Sequence, residues 1–133
     1  MRSERPWNNC CQDANTGQDG SLSTIHANSA FDAISRLETM IMLHTDIPLA
    51  ALRRQIASGI DLIVHLGRLR DKSRRLIEIR ELCGIENDGI KTAVLFQFAE
   101  EKEEDGKIAG SIIKQEALCH VQKLKTAGIN YEA

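Results

Sequence analysis

The hydrophobic period of the chain changes several times, and each change marks an element. Over residues 21–28 the pattern alternates, with Leu22, Thr24, His26 and Asn28 on one side and Ser21, Ser23, Ile25 and Ala27 on the other. A period of two predicts a short strand. Ser29 follows as a helix N-cap, its hydroxyl suited to accept an orphan backbone N–H, and Asp32 three residues on makes the arrangement capping-box-like. The period then lengthens to that of a helix over residues 30–43, where Ile34, Leu37 and Ile41 mark one apolar face with Ala33 and Met40 beside them. The stretch "HTDIP" ends this helix. Pro48 opens a second one, since its missing N–H costs nothing in a first turn; Leu49, Leu52, Ile56 and Ile60 mark its apolar face and Gly59 its approximate close.

After Asp61 the pattern becomes the continuous apolar "LIVHL", rich enough in β-branched residues to predict a buried strand. A basic turn, "RLRDKSRR", follows. "LIEIREL" alternates again, Ile77 and Ile79 against Glu78 and Arg80, so residues 61–70 and 74–82 are expected to be antiparallel neighbours. "TAVLFQF" at 92–98 predicts a third strand and "KIAGSIIK" at 107–114 a weaker fourth, with the acidic "AEEKEEDG" between them as a solvated hairpin loop. The closing "QEALCHVQKLKTAG" predicts a helix: Leu118, Val121 and Leu124 have helical spacing, Lys123 and Lys125 suit its C-terminal dipole, and Gly128 stops it. Residues 1–19 have no apolar period and read as a poorly ordered lead-in.

Composition narrows the class. At 133 residues, 42% hydrophobic and 27% charged, the chain suits one globular domain, and its composition does not favour disorder throughout. Its apolar runs are too short for a bilayer-spanning helix. A net charge of −2 argues against wholesale nucleic-acid binding. The first residues, "MRSERPWNNCC", have no secretory-signal pattern, so a cytoplasmic location is expected. The four cysteines, Cys10, Cys11, Cys83 and Cys119, include an adjacent pair and no C-x-x-C, and read as reduced thiols rather than a disulfide framework or a zinc site.

Three groups of residues are candidates for chemistry. His26 shares its side of the alternating segment with Thr24 and Asn28, a set able to hold or sense an anionic group, although a histidine in a strand more commonly serves a structural hydrogen bond. The basic turn gathers Arg68, Arg70, Lys72, Arg74 and Arg75; guanidinium groups match phosphate oxygens, yet a solvated hairpin tip is the commoner meaning of such a run. His44, His65 and His120 include no i, i+4 pair, so no helical metal site is expected. Nothing marks a nucleophile. The single Gly-Lys step, Gly106–Lys107, lacks the earlier glycine and the following Ser or Thr of a phosphate-binding loop.

Four unusual words in register, the segment "GSLSTIHANS", then "RLETM", "RRQIASGIDLIVHL" and "RLRDKSRR", strongly resemble the C-terminal part of the type II/IV secretion-system ATPases, with the tight-adherence (Flp-type) pilus assembly ATPases as the nearest branch. The resemblance runs from about Asn15 to Ile129, is close up to Ile85, and loosens through "LFQF", "EEDGKIAG" and "LKTAGI". It implies an α/β fold: the C-terminal part of a RecA-like P-loop ATPase domain, two helices followed by antiparallel strands and a C-terminal helix, without the Walker A and Walker B regions. The implied layout is an unrelated lead-in at 1–14, a partial ATPase domain at 15–129 and a tail at 130–133. Gln18 departs from the branch, which carries a histidine there.

Within that family "GSLSTIHANS" is the histidine box, which makes His26 the catalytic candidate, a residue near the terminal phosphate that couples nucleotide state to domain movement. Family members use ATP and Mg²⁺ in hexameric rings on the cytoplasmic face of the inner membrane, working with membrane platform proteins to drive pilus assembly or secretion. ATP hydrolysis needs a backbone cradle, a Lys, Mg²⁺ and a group orienting water. The chain resembles the tail of such an enzyme, so neither turnover nor a bound cofactor is expected of it alone. A noncatalytic subunit that docks on a full-length ATPase ring, and a nonfunctional gene fragment, are the alternatives. Strands that would normally lie beside the phosphate-loop strand are expected to leave an exposed edge, with low solubility or self-association as the result.

Overall fold

The structure, a computed structural model, describes Gly20 and residues 22–132. The expected lead-in at 1–14 and most of the segment up to Ser21 therefore lie outside the described residues. The elements run α1 (Ala30–Met42), α2 (Leu49–Gly59), β1 (Leu62–Arg68), β2 (Arg74–Glu86), β3 (Gly89–Glu104), β4 (Lys107–Lys114) and α3 (Gln122–Thr126). They divide into two compact units, Met1–Asp61 with Gly84–Lys91, and Leu62–Cys83 with Thr92–Ala133.

The first unit is a helical pair with the turn that joins β2 to β3. Ala30, Ala33, Ile34, Leu37 and Ile41 of α1 are buried, as are Leu52 and Ile56 of α2. Those positions repeat at helical spacing, and each large one contributes about 1.5–3 kcal/mol when fully removed from water. Pro48 occupies the N-cap position of α2, and Leu52 N donates to its carbonyl at 3.0 Å. Arg53 of α2 donates to Glu38 of α1 at 2.8 Å and to the Asp88 carbonyl at 2.8 Å. This one guanidinium thus ties both helices and the β2–β3 turn, and the hydrogen bond to Glu38, with its charge, raises the Arg53 pKa.

The second unit holds most of a four-stranded antiparallel sheet in the order β1-β2-β3-β4. Leu82, Ala93, Leu95 and Ile108 are its buried apolar side chains. The strands are longer than their hydrophobic pattern suggests. β3 continues through Glu104, so "AEEKEEDG" is strand rather than loop up to a turn at Asp105–Gly106. Both turn residues have positive φ, 51° and 71°, as do Asn87 (50°) and Asp88 (62°) between β2 and β3. Such two-residue turns match the right-handed twist of the flanking strands, which lets pairing extend to the very ends of the hairpins. On the β3–β4 ladder Glu101 is bulged out between Glu100 and Lys102. Gly110, opposite Glu100, has no room for a Cβ: an added methyl would meet the Ala99 carbonyl and the Phe98 ring.

Three further expectations are corrected. Residues 22–27 form neither strand nor helix, although Thr24, His26 and Asn28 are exposed while Ile25 and Ala27 are less so. The alternation is real, but a polar segment without an apolar face has nothing to hold it in a sheet. Second, β1 is an edge strand, not a buried one, and leaves Leu62, Val64 and Leu66 exposed at 47%, 56% and 70%.

Third, the C-terminal helix is reduced to Gln122–Thr126. Gln115 and Glu116 instead continue the β4 pairing, donating to the Leu95 and Val94 carbonyls at 2.8 and 3.1 Å. The amides of Leu118, Cys119 and His120 go to side chains, Leu118 to the Tyr131 hydroxyl and the other two to the Glu81 carboxylate. Backbone donors committed in this way are not available to start a helix. Leu118, Val121 and Leu124 are nevertheless the half-buried positions of the segment.

Candidate functional site

His26 lies on an irregular segment whose backbone is fixed by the first turns of α1. Ser29 adopts extended backbone as N-cap, and its hydroxyl accepts from the Asp32 amide at 3.0 Å. Asp32 reciprocates by accepting from the Asn28 amide at 2.9 Å. The capping pair expected from the sequence therefore forms, with the return bond one residue earlier than in the usual box. Arg36, one turn along α1, lies 3.7 Å from the Asp32 carboxylate and donates to the His26 carbonyl at 2.6 Å. The main chain at His26 is thus held by a charged donor, while the imidazole is exposed and, among the described residues, bonded to none. Thr24 and Asn28 are exposed with it.

The basic turn is not an open anion cradle at Arg70. That guanidinium grips Glu100 and Glu103 of β3, the Glu103 contact at 2.7 Å and the Glu100 contact in two-pronged geometry. The hydrogen bonds to Glu100 and then Glu103 raise the Arg70 pKa, and the same bond from Arg70 lowers that of Glu100. The acidic run and the basic turn, separate features in the sequence, are partners across the sheet. Beside them Asp71 accepts from the Ile108 amide at 2.9 Å and from both the hydroxyl and the amide of Ser73 at 2.6 and 2.9 Å. Those bonds, Ile108 first, hold its carboxyl down at about 2.

A further polar cluster was barely signalled in the sequence. Glu81 of β2 is buried at 3% exposure, and its carboxylate accepts from the amides of Cys119 at 2.6 Å and His120 at 2.9 Å. His120 Nδ1 lies 3.2 Å from the same carboxylate. Cys83, two residues along β2, brings its Sγ to 2.7 Å from that of Cys119. The only available hint was that these are the two cysteines outside the lead-in. Nearby, Glu78 and Arg80 pair at 2.9 Å and Arg80 donates to Thr92 at 2.9 Å, so the polar face of β2 is satisfied internally.

His44 is exposed after α1, and His65 turns inward on β1 with its Nδ1 shielded and without a partner among the described residues. A magnesium–nucleotide requires phosphate donors and a carboxylate or hydroxyl for the metal. At His26 the neighbouring charges, Arg36 and Asp32, are spent on each other and on the backbone. The surroundings of His26 therefore do not by themselves fit that group.

Two helices, an antiparallel sheet and a short helix, with a histidine displayed on an anchored segment before α1, define an α/β protein in which the helices precede the sheet. A family model described as "Type II/IV secretion system protein" matches residues 2–125, and the chain belongs to that family. The match includes the residues expected to form an unrelated lead-in. The chain is 34% identical over 95 residues to the conjugal transfer protein TrbB of Rhizobium radiobacter, covering 71% of this chain and 27% of that protein. It is 37% identical over 68 residues to a putative conjugal transfer protein of Mycobacterium tuberculosis, covering 51% of this chain and 19% of the relative. The chain thus spans about a fifth to a quarter of these relatives (19% and 27%). No helix among the described residues is long and apolar enough to cross a membrane.

Proposed function

We propose that these residues are the C-terminal region of a RecA-like ATPase domain of the tight-adherence branch, and that His26 is its nucleotide-sensing residue. In this reading ATP and Mg²⁺ bind through a phosphate loop and acidic residues that the 133 residues do not contain, in a hexameric ring at the cytoplasmic face of the inner membrane, with platform proteins as partners. The observation that carries it is the anchoring of the His26 backbone by Arg36 at 2.6 Å while the imidazole stays exposed. A structural histidine would spend its ring on the fold, whereas this one is presented outward from a fixed main chain. One histidine does not replace the several kcal/mol of electrostatic stabilisation that phosphoryl transfer takes from its cradle and metal. The purified chain is accordingly expected to show no Mg²⁺-dependent ATP hydrolysis. Turnover that survives further purification and is lost in His26→Ala would overturn this reading.

A second reading, a noncatalytic subunit that docks on a full-length ATPase ring, draws support from the apolar row Leu62, Val64 and Leu66 on edge strand β1. An exposed edge with an apolar face favours association with another chain. It predicts retention by the full-length paralogue from the same cell at micromolar concentration. Absence of association there would count against docking.

A further inference from the structure

Cys83 and Cys119 stand 36 positions apart in the sequence, yet their Sγ atoms are 2.7 Å apart. We infer that they form a dithiol that closes into an intrachain disulfide when it meets a low-molecular-weight disulfide, and reopens under reductant. The approach does not depend on the sulfurs themselves. Glu81, two residues before Cys83 and so on the same side of β2, holds the Cys119 amide at 2.6 Å and the His120 amide at 2.9 Å. The segment carrying Cys119 is therefore fixed beside the strand carrying Cys83, and a movement of well under 1 Å brings the sulfurs to the bonded separation of about 2.05 Å.

The ligating atoms of Glu81, Cys83 and Cys119 all lie within 4.8 Å of one another, which raises a metal ion as the competing occupant. Two features favour the disulfide. Two thiolates on one tetrahedral zinc, with Zn–S bonds of about 2.3 Å, sit about 3.8 Å apart, much farther than these sulfurs. The Glu81 oxygens are also already committed to two amides and the His120 ring.

Accessibility sets the order of events, because Cys119 is exposed and Cys83 half-buried. The Cys119 thiolate attacks one sulfur of the small disulfide, forming a mixed disulfide and releasing one small thiolate. Cys83 then attacks the Cys119 sulfur, forming the Cys83–Cys119 bond and releasing the second. The small disulfide is reduced by two electrons to two thiols, which take up the two protons that the cysteines lose. The bond fastens the segment after β4 to β2, so the oxidation state decides whether that segment can leave the sheet.

The test uses the full chain with Cys10→Ser and Cys11→Ser, kept in chelator and incubated with oxidised glutathione. Free thiols are then alkylated and peptides mapped without reduction. The expected result is a linked Cys83–Cys119 peptide pair from a monomer, lighter by two hydrogens and restored by reductant. Closure should be on the order of tenfold faster or more in native buffer than in concentrated urea, since folding supplies the proximity. The additional change Cys83→Ser should trap glutathione stably on Cys119. Two alkylatable cysteines after oxidation, a lasting glutathione adduct with Cys83 present, links between chains, or equal rates in urea would each overturn the inference. So would zinc that co-purifies at one equivalent without chelator and is lost in Cys119→Ser.

Discussion

The His26 segment and the Glu81 cluster both fix irregular backbone with a few polar side chains, but over very different distances along the chain. Around His26 the bonds join residues three, four and ten positions apart. Around Glu81 they join residues 38 and 39 apart. The local set leaves its histidine exposed; the long-range set buries a carboxylate and brings two cysteines together. Short-range caps can anchor a main chain and leave the side chain displayed. A buried charge has to satisfy its oxygens on whatever the fold brings near, and it constrains that neighbour in return.

That contrast breaks first at Glu81. Glu81→Ala should cost about 2–3 kcal/mol in urea unfolding, because it leaves the Cys119 and His120 amides without a charged acceptor. It should also expose the segment after β4 to limited proteolysis; a loss under about 0.5 kcal/mol would show that the cluster is incidental. A second long-range contact, Gly110 against Ala99 and Phe98, should cost about 1–3 kcal/mol in Gly110→Ala, by the same measurement. The local side responds less. Ser29→Ala removes the cap on Asp32 N and should cost about 1 kcal/mol.

A smaller effect, visible only in acid, belongs to Asp71. Its carboxyl lies at about 2 when folded, against an ordinary 3.8, so its contribution is present above 3.8 and lost as the pH falls toward 2. Asp71→Asn should flatten the decline of the melting temperature in that window, and an unchanged pH profile would contradict it. Last comes His26→Ala, expected to change stability by no more than about 0.5 kcal/mol. A larger loss would mean that the imidazole serves the fold rather than a ligand.

Legibility followed range. The apolar faces of α1 and α2, the Ser29 cap, the four strands in order and the alternation at residues 24–28 could be read because each depends on a repeat or on neighbours within a turn. The hairpin lengths were underestimated because strand continues through charged residues such as Glu103 and Glu104 when a two-residue turn keeps them paired. The helix expected at 115–128 failed where the amides of Leu118, Cys119 and His120 found Tyr131 and Glu81 instead. At His26 the residue and its neighbours were legible from the sequence, while the Arg36 anchor was not.

By itself the sequence determined the first two helices, the four strands in order and the family, because helical and strand periods, caps and the order of distinctive words are carried by adjacent residues. The tertiary structure decided which strand is an edge, that Arg70 answers the acidic end of β3, and that Glu81 draws Cys119 toward Cys83. The last two outcomes depend on groups more than thirty positions apart satisfying one another's charge and hydrogen bonds, and no local pattern encodes such a meeting.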